Sequence, residues 1–570
     1  MRIIPFLHRR FSGLLALFGL ALIAAAMPAR AENGAPAADM GAWIDALMER
    51  SFEEDGPGAV VVVAKDGEVI HRSVRGMADI EAGEAITPST VFRFASITKQ
   101  FAAATALKLA EQGKLSLDDP LSKFLPDYPA PGNAVTVRQL LNHTSGIRSY
   151  TGIPGWMVEA NTAKAFTTAE MIAEFQDQPV DFPAGNAFAY NNSGYYLLGA
   201  VIEQVTGKPW YEAMADELTG PMGASTISAF MNEAGIANMA KGYTPSADGN
   251  VLAQKIHASV PGAAGALRGT ADDLIIWTHA LHSGGVVNDD LFAQMIAPTQ
   301  LPDGEIENYG FGLVITDVRE RPAIGHAGGI FGFVTDVLHV QGDGVTVAML
   351  ANSDETSVPI SMLTRKIAAY AIGDPFTQFT AIKPDMETLK PLFGRYAISD
   401  TENRQFYERD GQLYTLRSGS AESEVFAAEG GKFFYGESSL SWFDFSEGED
   451  GAPVMQMRPN GAREIERAAY AGAIEVIEPI DVPVEVLATY AGTYVTDYGI
   501  AVFGVSDEDQ LTLVFAGQPE TELVATSENV FTVEGIDVNI SFAPDPGAGD
   551  VMTMTLVQGG VTLKAPRSAD

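Results

Sequence analysis

The sequence predicts an antiparallel β-sheet covered by a layer of helices, an α/β (α+β) domain, followed by two small antiparallel β-barrel domains. Three observations carry this. Strand-like runs stand at both ends of the first ~373 residues, helical periodicity fills the middle, and after Gly373-Asp374-Pro375 the chain turns to short apolar–polar alternation.

The chain begins with a pattern that is not part of that fold. Arg2, Arg9 and Arg10 precede an apolar run from Phe11 to Met27, and Ala29-Arg30-Ala31 fits a small-x-small cleavage site. Residues 1–31 are therefore expected to be a secretory signal peptide cut before Glu32, with a periplasmic or secreted product. No later stretch is long and apolar enough to span a bilayer, so no stable span is expected once the leader is gone.

Residues 38–54 place Trp43, Ile44, Leu47, Met48 and Phe52 at helical spacing. A run Ala59–Val63, the turn Asp66-Gly67 and Val69-Ile70 then read as a hairpin. A second hairpin reads at Phe333–Leu350, turning at Gly342-Asp343-Gly344. Between them lie helical patterns at 96–112, 137–141, 169–175, 195–206 and 271–281. This domain is expected over 32–375.

The C-terminal third repeats itself. Gly394-Arg395-Tyr396 matches Gly492-Thr493-Tyr494, Leu413 matches Leu511, Phe443-Asp444-Phe445 matches Ile540-Ser541-Phe542, and Arg467 matches Arg567. Four landmarks in one order at nearly one offset indicate two copies of one unit. They are expected over 385–470 and 480–570, joined by a segment containing Pro479 and Pro483.

Composition narrows the chemistry. Among 570 residues 46% are hydrophobic and 19% charged, a normal globular balance, and there is no cysteine. Thiol catalysis, thiolate metal sites and disulfides are excluded. The formal charge is −37; loss of the leader leaves 32 basic against 73 acidic residues, or −41. Such a chain repels nucleic acid and anionic membrane. All eight histidines lie at or before residue 339, so chemistry is expected in the first domain. No H-E-x-x-H and no G-x-S-x-G occur, which disfavours a metalloenzyme and an α/β-hydrolase. No cofactor or metal is expected, and the oligomeric state is not legible.

Three motifs point to a nucleophile. In Phe94-Ala95-Ser96-Ile97-Thr98-Lys99, a serine stands at a helix start with a lysine three residues on, on the same helical face. A buried lysine loses its charge more easily and can accept the serine's proton. Tyr190-Asn191-Asn192 offers a phenol to relay that proton and an amide to orient a substrate. Gly325-His326-Ala327-Gly328-Gly329 precedes a strand and lets substrate approach the backbone. There the Gly329 N–H, with that of Ser96, would form an oxyanion hole, and His326 would polarise the site or assist deacylation. Each motif alone also reads as ordinary structure: a helix cap with a surface lysine, a packed loop tyrosine with turn asparagines, and a glycine turn with an incidental histidine.

Their order and spacing resemble the serine β-lactamase and penicillin-binding-protein superfamily, with S-x-x-K, then Y-x-N, then an H-x-G third element. Asn142-His143-Thr144-Ser145-Gly146, Tyr195–Gly199, Thr270–Leu274 and Tyr309-Gly310-Phe311-Gly312-Leu313 are similar to further segments of that superfamily. The resemblance covers about residues 38–370 and is nearest its class C-like group of esterases, D-stereospecific peptidases, carboxypeptidases and β-lactamases. It implies that Ser96 attacks a carbonyl, that Lys99 and Tyr190 manage protons, that Asn192 and Gly328 contact substrate, and that Asn142 and His143 are structural. It also implies an acyl-enzyme, a small-molecule or short peptide substrate, and a two-barrel tail like that of D-aminopeptidases, whose loop can narrow the active site.

One departure shapes the expected substrate. Where β-lactamases carry a lysine that meets a carboxylate, this chain has His326, whose ordinary pKa is about 6.5. The expected enzyme is a serine hydrolase acting on small peptide, amide or ester substrates, D-aminopeptidase- or esterase-like. A β-lactamase or D-Ala-D-Ala carboxypeptidase and a catalytically silent binding module are the alternatives. Tyr150, Trp156 and Met157 are candidate pocket liners. His71, His257, His279, His282 and His339 are read as packing or surface residues.

Overall fold

A computed structural model describes residues 40–568 except 230, 232, 248, 475–477, 497–498, 516–517 and 545–550. The leader read over 1–31 lies outside the described residues. No described helix is long and apolar enough to cross a membrane.

The first hairpin forms β1 (Ala59–Lys65) and β2 (Glu68–Arg75). They join β3 (Val314–Val318), β4 (Arg321–Ile330), β5 (Phe333–Val340) and β6 (Val345–Ala351) in one six-stranded sheet. Its order is β3-β4-β5-β6-β1-β2, every pair antiparallel. The N-terminal hairpin thus pairs with the last strand of the domain, β1 against β6, which closes the unit across some 290 residues of sequence.

The uninterrupted valines of β1 have a physical cause. Val60 and Val62 pack into the main helical core, whereas Ala59, Val61 and Val63 pack on the opposite face. A strand buried on both faces needs no polar alternation. The sequence predicts one helical layer; the sheet is covered on both sides. α1 (Met40–Ser51) and the helix Ile360–Ala371 form the rear cover. In front lie α2 (Thr98–Glu111), α3 (Val137–Leu141), α4 (Asn192–Thr206) and α5 (Ala271–His282); the rear helix Ile360–Ala371 is α6.

α2 is the central helix. Its residues from Thr98 to Leu107 are all buried, a position that suits the small side chains of Ala102, Ala103, Ala104 and Ala106. Capping fixes where the neighbouring helices start. Thr136 and Gln139 form a reciprocal capping box on α3, and the Asn191 side chain accepts the Gly194 N–H at the start of α4.

Eight strands between Gly394 and Gly472 close into an antiparallel barrel. Its interior is filled by Tyr396, Phe406, Phe433, Phe443, Met455 and Met457, so it is a packed core and not an open cup. The second copy differs. Its described strands divide into a four-stranded and a five-stranded sheet around one core, linked by a bridge between Tyr494 and Arg567. The repeat landmarks nevertheless occupy equivalent places. Tyr396 and Tyr494 are fully buried, and each hydroxyl donates to the carbonyl four residues earlier, Leu392 and Tyr490.

The barrel docks behind the sheet. Leu440 enters the rear core beside Phe376, Arg319 donates to the Gly461 carbonyl, and Arg319 and Arg463 both pair with Asp374.

Candidate active site

Ser96 lies in a single 3-10 turn, Ala95–Ile97, that runs directly into α2. The turn begins with Ala95 at φ +49°, a left-handed conformation that costs an L-residue energy and holds the serine on a sharp bend. Lys99, one turn further on, is fully buried.

The lysine amine has three neighbours. Nζ lies 3.1 Å from Ser96 Oγ, 2.8 Å from Asn192 Oδ1 and 2.9 Å from the Ala264 carbonyl. Burial disfavours its charged form and holds its pKa well below the ordinary lysine range. The two carbonyl oxygens can only accept, so they take two N–H bonds. In the neutral amine the remaining lone pair is then directed to the serine hydroxyl.

Tyr190 precedes the α4 cap, its ring centre 4.7 Å from Lys99 Nζ. The residue keeps 41% of its surface exposed, but loss of water around the phenol raises its pKa well above the ordinary value, and the neighbouring Ser96 hydroxyl opposes that only in part. The phenol therefore stays protonated. His143 braces it: the His143 carbonyl accepts the Ala189 N–H, its Nδ1 accepts the Asn191 N–H at 3.0 Å, and its ring stands 4.4 Å from that of Tyr190.

The third motif lies on β4, whose residues beyond Gly325 extend past the end of β3. His326 faces the front of the sheet, as Ile324 does, and is buried. Its Nε2 meets the Tyr309 hydroxyl at 3.0 Å and its Nδ1 meets the Ala327 carbonyl at 2.5 Å. Burial pushes its pKa down to about 3. The imidazole is thus neutral, donating from Nδ1 and accepting at Nε2. Both nitrogens are occupied by the protein, which differs from the expected polarising or deacylating role.

The glycines separate. Gly328, expected at the substrate, faces inward: a Cβ there would stand 2.3 Å from the Phe94 carbonyl oxygen and 2.4 Å from Thr335 Oγ1. It is a glycine so that β4 can press against the Ser96 turn. Gly329 has open space beside it and lines the cleft with Ser96.

That cleft has a volume of about 330 Å³. Its walls include Tyr150 and Met157, as expected, while Trp156 packs behind on Tyr150. Asn192 also lines it, but its Oδ1 is engaged by Lys99 and its Nδ2 by Thr151 at 3.2 Å, so its amide serves the lysine first. Every lining residue lies at or before Asp354. Among the described residues none from the barrel lines the cleft, and Leu440 of the barrel packs in the rear core. His282 and His339 stack at 4.2 Å, consistent with packing.

Sequence reasoning missed Ala264 and Asp354. Ala264 acts through its backbone; the only local sign was the run of small residues Pro261–Ala266, which lets that turn approach α2. Asp354 follows the end of β6 and carries no local signal.

The family model described as Beta-lactamase matches residues 40–371. The D-aminopeptidase of Gluconobacter oxydans is 28% identical over 352 residues, 61% of this chain and 64% of that protein. Esterase EstB of Burkholderia gladioli is 32% identical over 206 residues, 33% of this chain and 51% of that protein. The chain therefore spans less than two thirds of either relative. The octameric penicillin-binding protein homologue from Pyrococcus abyssi is 25% identical with a TM-score of 0.52, covering 75% of this chain and 99% of that one. The family match starts at the first residue of α1 and ends at the last residue of α6, so it takes in the whole sheet, both covers and the Ser96 cleft. The chain belongs to the Beta-lactamase family.

Proposed function

We propose that this chain is a serine hydrolase that works through an acyl-enzyme on small amide, peptide or ester substrates. The observation that carries the reading is the buried Lys99 amine, 3.1 Å from Ser96 Oγ with its two N–H bonds directed elsewhere. As Oγ bonds to the substrate carbonyl carbon, its proton passes to the Lys99 lone pair. The Ser96 and Gly329 N–H groups receive the developing oxyanion. The protonated Tyr190 phenol gives a proton to the leaving group as its bond breaks, and Lys99 restores that proton. Water then cleaves the acyl ester, and Ser96 regains its hydrogen.

Lys99 rather than Tyr190 is the base in this reading, since burial favours the neutral form of both. The D-aminopeptidase and esterase relatives agree with amide and ester chemistry. No lysine or arginine is among the cleft's lining residues, and His326 is uncharged, which weighs against substrates that need a carboxylate partner. Export is part of the proposal: material recovered outside the cytoplasm should begin at Glu32.

The test is p-nitrophenyl butyrate hydrolysis by wild type, Ser96→Ala and Lys99→Arg. Ser96→Ala should be inactive and folded. Arginine cannot lose its proton, so Lys99→Arg should be inactive too; Lys99→Met, which buries no charge, serves as the folded control. Wild-type turnover in Ser96→Ala would sink the assignment.

A further inference from the structure

We infer that a second cavity, behind the sheet where the barrel docks, binds a free α-amino acid with an aliphatic side chain, its ammonium on Asp336 and its carboxylate on Arg365. This cavity shares no lining residue with the Ser96 cleft, so the inference goes beyond the hydrolase reading and does not depend on it.

The space follows from small residues on β4. Gly325 and Ala327 stand opposite Leu338 and Asp336 of β5, on the rear face of the sheet, just where β4 runs past the end of β3. That stretch offers only a hydrogen and a methyl group to the rear. A gap of about 350 Å³ remains, bounded by Ser361, Met362 and Arg365 of α6 and by Leu440 and Asn460 of the barrel.

Two side chains of opposite charge line the gap, and they do not pair with each other. Asp336 is only 7% exposed. No ion pair reaches it among the described residues, and the Thr364 hydroxyl beside it donates to the Ile360 carbonyl at 2.9 Å. Burial raises its pKa to about 7, as befits a carboxyl with no cation at hand. Arg365 is directed elsewhere. Its Nη2 meets Asp317 at 3.3 Å, and its Nη1 meets Thr316, another lining residue, at 3.4 Å. Among the described residues these two long contacts are all the hydrogen bonds that its five N–H donors make. A buried carboxyl without a cation, in one cavity with an underused guanidinium, calls for a specific reason.

A zwitterion answers both. Its ammonium brings three donors to the carboxyl, and its carboxylate matches the planar guanidinium. The remaining wall, with Val314, Leu338, Met362 and Leu440, is apolar and suits an aliphatic side chain. A simple amine or a simple carboxylate would leave one of the two charges unanswered.

The test is isothermal titration calorimetry with leucine (both enantiomers), 3-methylbutylamine and 4-methylpentanoate. The last two are leucine without its carboxylate and leucine without its ammonium. One leucine enantiomer should bind, and each truncated compound should bind about tenfold more weakly or worse. Ser96→Ala should bind leucine as wild type does, which places the ligand outside the Ser96 cleft. Asp336→Asn keeps the shape of the side chain and should weaken binding about tenfold. Ser361→Phe fills the cavity from an exposed helix position, keeps both charges and should abolish binding. Near-UV circular dichroism shows that each variant is folded. Absence of leucine binding to wild type, equal affinity for the truncated compounds, or unchanged affinity in Asp336→Asn and Ser361→Phe overturns the inference. None of these titrations depends on turnover, so their failure leaves the hydrolase reading standing, and inertness toward p-nitrophenyl butyrate leaves this one standing.

Discussion

The Tyr309 hydroxyl donates to His326 Nε2 across 3.0 Å, and this bond fixes which tautomer the imidazole adopts. With Nδ1–H given to the Ala327 carbonyl, His326 has neither a free lone pair nor a free proton for a substrate. Its pKa near 3 keeps it neutral through any ordinary assay.

His326→Gln should therefore leave the shape of the kcat/KM–pH profile intact. A general acid or base contributes about 10²–10⁴-fold; the loss in His326→Gln should stay below that range. Disappearance of the acid limb would instead identify His326 as the titrating base.

Gly328 and Gly329 should respond oppositely to one methyl group. Gly328→Ala drives a Cβ into the Phe94 carbonyl and Thr335, an overpacking that costs about 1–3 kcal/mol. It should also lower kcat, because β4 must move away from the Ser96 turn. Gly329→Ala meets open space and should keep wild-type thermal stability. Calorimetry and ester kinetics on both variants check this; equal stability would refute the packing role of Gly328.

The barrel should contribute stability and not selectivity. Leu440→Ala removes a side chain from the rear core, where such changes cost about 2–5 kcal/mol. The ranking of ester, amide and β-lactam substrates should be unchanged, since the cleft lining ends at Asp354. Altered ranking in Leu440→Ala, or in a chain lacking residues 380–570, would contradict this.

Acid should destabilise the protein at a predictable pH. Burial holds His326 and His282 near pKa 3, His339 near 4, and His143 well below its usual value. Their folded pKa values lie below the unfolded 6.5, so unfolding takes up protons between about pH 4 and 6.5, and stability falls as pH drops through that window. Asp336 acts against this: burial raises it to about 7, so unfolding releases its proton there. Four histidines against one carboxyl leave a net uptake of about three protons near pH 5, each contributing about 1.4 kcal/mol per pH unit. Thermal melts from pH 4.5 to 7.5 should show the melting temperature rising steeply with pH; a flat profile would mean that these histidines are solvated.

Much of this was legible in the sequence because it is local. The three-residue spacing of Ser96 and Lys99, the Y-x-N run and the hairpins with their turn residues are set within a few positions of chain. The repeat could be read for the same reason, as its copies share a buried tyrosine at the start of the first strand. What local sequence could not carry was which groups surround each side chain. A lysine is an ammonium on a surface and an amine inside, and only the packing of α2 against α4 and the Ala264 turn decides between them. Likewise His326 became a held, neutral wall through Tyr309, Gly328 became a packing contact through Phe94, and Asp354 entered the cleft through a strand end distant in sequence. These depend on solvent exclusion and long-range contacts, which arise only when the chain is folded.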